Sequence, residues 1–171
     1  MRLESGAGAG PALALLLRFH YLVVVLVAAC GVLVWVPAPA LADRVAGPGI
    51  VFCALYIWQV AGMQLYHQSR EGRAALVEKE EPEQQQKGAE RLPGLLLFLA
   101  LPLGLAALAL LVAPLAGLLL LVPAVVLLYQ PERTPSLAGD WPAQWRRSRY
   151  QQTQLLTVSL VSMAVHVWYG G

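Results

Sequence analysis

Charge is scarce in this sequence. Only 13% of its 171 residues are Asp, Glu, Lys or Arg, against 58% hydrophobic and a mean hydropathy of +0.60. That balance excludes a disordered chain, a coiled coil and an ordinary soluble globular protein. Cysteine is nearly absent: Cys30 and Cys53 form no CxxC pair, which removes a disulfide framework and a zinc cluster. Catalytic signatures are missing as well, with no GxSxG, no HExxH, no Walker loop and no glycine-rich dinucleotide fingerprint. Nothing in the charge distribution points to nucleic acid as a partner.

What is present is a succession of apolar runs. Phe19 to Val36 holds eighteen residues without a charge, about 27 Å of helix at about 1.5 Å per residue, close to the hydrocarbon thickness of a bilayer. Pro37 and Pro39 end it, and Asp43, Arg44, Gly47, Pro48 and Gly49 have the composition of a turn. Ile50 to Tyr66 is the second run, followed by a polar segment from Gln68 to Arg91 whose first part, Ser69 to Lys79, extends the helix into water. Leu92 to Tyr129 then runs thirty-eight residues without charge, about twice one span, so a hairpin is expected with its turn at Pro114 and Gly117. The last run is Thr153 to Tyr169.

The fold class expected is all-α: a polytopic membrane protein, one transmembrane domain over 1–171, built as a bundle of five transmembrane helices with a cytoplasmic interfacial helix. The spans fall near 19–36, 50–66, 92–112, 115–129 and 153–169, with cytoplasmic segments 68–91 and 130–150. A second reading of the start is a signal peptide, because PAPALAD sets Ala40 and Ala42 at the small positions of a cleavage site before Asp43.

Five alternating spans place eleven of the twelve lysines and arginines on one side, with Arg44 alone opposite. By the positive-inside rule that side is cytoplasmic, so the N-terminus is inside and the C-terminus outside. The alanine, leucine, glycine and proline bias fits a GC-rich bacterium, hence its inner (plasma) membrane. Ahead of the last span, Trp141, Trp145, Arg146, Arg147 and Arg149 read as an interfacial helix, with indoles at headgroup depth and arginines meeting anionic lipid.

Polar chemistry inside the spans is thin. No Asp, Glu, Lys or Arg falls within them, which argues against a proton-coupled carrier. The third and fourth spans lack even Ser, Thr, Asn and Gln, so they are expected to face lipid. In the last span Gln152, Ser159, Ser162 and His166 share one helical face. They read either as hydrogen-bonding glue against the second helix near Gln59, or as the face for a ligand or a partner subunit. His20 and His67, near the cytoplasmic ends of two antiparallel helices, form a weak candidate pair for a haem or a metal; otherwise no cofactor is expected. Cys30 and Cys53 lie toward the outer ends of the same helices, as a disulfide or, more simply, as buried thiols. The run Glu78, Glu80, Glu81 and Glu83 matches no calcium loop and reads as a solvated charge cluster.

Three functions follow as expectations. The first is a non-catalytic accessory or assembly subunit of a larger membrane complex, its partners being the bilayer and other membrane subunits. The second is a carrier of a small apolar or amphipathic ligand held between the first, second and fifth helices. The third is a redox protein using His20 and His67.

Overall fold

The structure is a computed structural model. It describes the backbone of residues 11–36, 39–77, 96, 98–133 and 143–170, and within these the side chains of 19–36, 44–66, 96, 98–131, 133 and 147–169. The described residues form five α-helices and no strand: α1 Pro11–Leu33, α2 Pro39–Val77, α3 Phe98–Ala109, α4 Pro114–Arg133 and α5 Ala143–Gly170. Two segments are long and apolar enough to cross a membrane, Arg44–Tyr66 and Pro114–Pro131, while Phe19–Leu33 and Phe98–Ala109 are apolar but shorter.

The helix limits depart from the sequence expectations at informative places. The reversal between α1 and α2 is not at Asp43–Gly49 but at residues 34–36, where the amides of Trp35 and Val36 bond the carbonyls of Val32 and Leu33 at 3.1 Å. Asp43 to Gly49 lie inside α2, with Pro48 a helix-interior proline. Proline lacks the N–H that the Arg44 carbonyl would accept; Arg44 is exposed and only five residues from the start of α2, so the loss is tolerated there. Pro39 opens α2 and Pro114 opens α4, both at the first helical position, where no N–H is needed. The α3–α4 turn spans 110–113, and Gly117 belongs to α4. No separate interfacial helix precedes the last run: residues 143–170 are one continuous helix.

Pairwise contacts settle the directions. His20 of α1 meets Gln152 of α5, and Gly31 meets Ser159 and Ser162, so α1 and α5 run parallel. The His20 ring stacks on Tyr56, and Cys30 lies beside Gly49, so α2 is antiparallel to α1. Ile50 sits at Gly117 and Gln64 at Leu128, which makes α2 and α4 parallel. Of these four helices, α1 and α5 therefore point one way and α2 and α4 the other. α1 packs on α2 and α5, α4 packs on α2 and α5, and α2 touches α5 across the middle. The core they enclose includes Val27, Cys53, Ile57, Leu121, Leu128 and Leu160, all wholly buried.

The expectation that the α3–α4 hairpin merely faces lipid is corrected for α4. Leu118, Leu121, Ala124, Val125 and Leu128 form its buried face, and the Gln64 amide donates to the Leu128 carbonyl at 3.3 Å. A helix without polar side chains still packs by shape, because dispersion needs only close-fitting surfaces.

Candidate functional site: a buried polar cluster between α1, α2 and α5

Among the described residues the buried polar side chains are His20, Gln64, Arg149, Gln152, Thr153 and Ser159. Three of them converge. α1 supplies His20, α2 supplies Tyr56 and Gln59, and α5 supplies Arg149 and Gln152. His20 Nε2–H donates to Gln152 Oε1 at 2.8 Å, and its ring stacks on Tyr56 with centroids 4.8 Å apart and planes 26° from parallel. Gln59 also reaches the imidazole. Gln152 donates onward to the Ser148 hydroxyl at 3.3 Å, and Ser148 pairs with the Tyr21 hydroxyl at 2.7 Å. The chain of contacts thus runs from exposed Tyr21 at the rim to wholly buried Tyr56.

Arg149 is the centre of this cluster. Its guanidinium donates to the Tyr56 hydroxyl, and its central carbon lies 5.3 Å from the centre of the Tyr56 ring. Only 1% of the residue is exposed, which overturns its assignment to lipid headgroups. The correction follows from helical phase. Arg149, Gln152, Leu156, Leu160 and Met163 repeat at three and four residues and are all buried, whereas Arg147 falls on the outside and is exposed. Burying a guanidinium costs several kcal/mol. A hydrogen bond from a charged donor, at about 1.5–3 kcal/mol, and the neighbouring aromatic ring offset part of that cost.

The remaining predicted residues divide between two places. Gln59 and Gln152 belong to the cluster just described. Ser159, Ser162 and His166 lie toward the far end of α5 against α1, not against α2. Ser162 donates to the Gly31 carbonyl at 3.0 Å and accepts from Trp35 Nε1 at 2.6 Å, while His166 sits edge-on to Trp35 at 5.1 Å. Ser159 bonds the Leu155 carbonyl of its own helix. His67 lies eleven residues beyond Tyr56, about 16 Å further along α2, so the α2 side chain facing His20 is Tyr56. Among the described residues no three of His, Cys, Asp and Glu gather as metal ligands. Cys30 and Cys53 are free, buried thiols. Trp141 and the Glu78–Glu83 run lie outside the described residues, as do the side chains of His67, Trp145 and Arg146.

No protein-family model, curated protein or solved structure matches this chain. What the site can do is therefore read from its chemistry. It combines one permanent cation, an imidazole, a phenol and two amides, a set suited to holding helices in register or to pairing with a small buried anionic group. The nearby hydroxyl of Ser148 is engaged with Tyr21 and Gln152.

Proposed function

We propose that the chain is a small multi-pass membrane protein of five spans, without catalysis of its own, that works as an accessory or assembly subunit of a larger membrane complex. What carries the reading is its inverted polarity. His20, Arg149, Gln152 and Ser159 are buried, while Val25, Val51, Leu55, Trp58, Val158 and Val161 are exposed. That arrangement is unfavourable in water and natural in lipid.

The helices too short or too polar by composition fit the same picture. α5 loses hydropathy to Gln152, Thr153 and Ser159, which point inward, and to Gln151 and Gln154, which are exposed near its Tyr150 end; beyond Gln154 its exposed residues are valine, leucine and aromatics. Exposed Tyr150 and Trp168 bracket it eighteen residues apart, about 27 Å, the separation of the two aromatic belts of a bilayer. The subunit assignment is supported by how the chemistry-bearing groups are used. Imidazole, amides, hydroxyls and indole bond one another across helix seams, which leaves the apolar outer face for contact with other proteins. In this reading the N-terminus is cytoplasmic and the membrane is the bacterial inner membrane.

Native mass spectrometry after extraction in a gentle detergent tests the assignment. A second membrane protein retained in fixed ratio is the expected result; a lone monomer overturns it. Orientation is tested by labelling Glu80→Cys, Arg147→Cys and Trp168→Cys variants in intact cells, where only the last is expected to react with an impermeant reagent.

The Arg149 cluster favours a second reading, a carrier of an amphipathic ligand between α1, α2 and α5. A co-purifying small molecule that disappears from Arg149→Met protein would support it, and extraction of ligand-free wild type would count against it.

A further inference from the structure

At the end of the bundle opposite Arg149, the outer face of α2 carries an exposed row of Arg44, Pro48, Val51, Leu55 and Trp58 at alternating spacings of four and three residues. Beside the upper part of that row is an apolar groove. Pro48, Val51 and Phe52 form one wall, and Ala109, Leu110 and Pro114 of the α3–α4 turn form the other. We propose that this groove seats one acyl chain of an anionic phospholipid, with the lipid phosphate held by Arg44.

Charge, shape and length agree on that occupant. Of the charged side chains described, Arg133, Arg147 and Arg149 are at the opposite end, and Arg44 alone stands here, exposed and one turn from Pro48. Its guanidinium offers the paired donors that a phosphate accepts. The groove below it presents proline, valine, phenylalanine, leucine and alanine, which suit hydrocarbon and give a free anion nothing to bind. Gly47 also lines the groove, and a Cβ built there meets nothing within 4 Å, so there is open space beside it at the headgroup end. From Pro48 to Trp58 the exposed row runs ten residues, about 15 Å down the helix, enough to accompany most of an acyl chain toward the bilayer centre. The assignment rests on the membrane-spanning reading above.

The test uses the full chain. Membranes are first washed with alkaline carbonate, and the protein is then extracted in mild detergent with equimolar dioleoyl phosphatidylglycerol and dioleoyl phosphatidylcholine for native mass spectrometry. The expected result is a single phosphatidylglycerol adduct favoured about five-fold, the equivalent of one surface arginine. Arg44→Gln is expected to abolish the preference, and Gly47→Leu, whose side chain enters open space, to lower retention of both lipids. Equal retention by wild type, a preference that survives Arg44→Gln but not Arg147→Gln, or undiminished retention by Gly47→Leu overturns the lipid site. Chain released into the carbonate supernatant overturns the spanning reading itself, whereas chain in the pellet with no lipid preference overturns the site alone.

Discussion

Along the seam of α1 with α5, polar bonds recur from one end to the other: Tyr21 with Ser148, His20 with Gln152, Ser162 with the Gly31 carbonyl and with Trp35. The buried faces of α4 against α2 and α5 are made chiefly of leucine, alanine and valine, with Gln64 reaching a main-chain carbonyl and Tyr129 meeting Tyr150 at a ring separation of 6.0 Å. Both seams contain a glycine at a close approach, Gly31 on Ser159 and Gly117 on the Ile50 side chain of α2, with the Ala109 carbonyl of α3 closer still to Gly117. The close approach is therefore common to both, and only the polar bonds distinguish them. Shape holds either pair together, while the polar groups add register to two helices separated by more than a hundred residues of chain.

If shape carries both seams, the largest losses come from the glycines. A Cβ at Gly117 would lie 2.6 Å from the Ala109 carbonyl oxygen, a main-chain atom that cannot swing aside. Gly117→Ala is expected to cost at least the ~1–3 kcal/mol of an overpacked core, read from unfolding in detergent. Gly31→Ala meets Ser159 at 2.9 Å and 3.0 Å and should behave alike. A Gly117→Ala protein as stable as wild type would mean that the α3–α4 turn is loosely held and that the comparison fails.

The next effect belongs to Arg149. Tyr56→Phe keeps the ring but removes the acceptor of a buried cation, with an expected loss of about 1.5–3 kcal/mol. Arg149→Met added to Tyr56→Phe is expected to recover part of that loss, because the buried charge is then gone. Additive losses would show that the two side chains do not depend on each other.

The all-helical character and five apolar runs at the five helices were readable. The separate interfacial helix expected before the last run was not found among the described residues, and α2, Pro39–Val77, far exceeds the expected 50–66. The helix ends were less readable. Gly47, Pro48 and Gly49 look like a turn because proline and glycine usually break helices in water, yet Pro48 costs α2 only one bond, near its start. The cluster was half readable. Gln152 was visible as part of a polar face, and extending that face one turn upstream reaches Arg149; the adjacent Arg146 and Arg147 made the three look like one surface group. Tyr56 shares a helical face with buried Cys53, Val60 and Met63, a phase that apolar periodicity does expose. The partner of each face was not readable. Periodicity says which side of a helix is inward, but not that α5 lies along α1, so His20 could not be assigned to Gln152 in advance.

Along the polar seam itself, the His20–Gln152 pair sharpens the contrast with α4. His20→Leu or Gln152→Leu alone leaves the other buried polar group short of a partner, at about 1–3 kcal/mol. The double variant is expected to be less destabilised than the sum, since an apolar pair of comparable bulk imitates the α4 seams. Full additivity in a double-mutant cycle would remove the specific role given to this bond.

The smallest effect is expected at the other end of the same seam. Ser162→Ala removes both the donor to the Gly31 carbonyl and the acceptor of the Trp35 indole, as many bonds as Gln152 makes with His20 and Ser148. Yet Trp35 is more than half exposed and lies just past the end of α1, where water and lipid headgroups can take the place of the hydroxyl. Hydrogen bonds between membrane helices average about 0.6 kcal/mol, and this site should fall near that value. Burial, and not the number of bonds, then decides what a polar contact contributes. A Ser162→Ala loss larger than that of Gln152→Leu would reverse the order and place the register-setting contact at the Trp35 end.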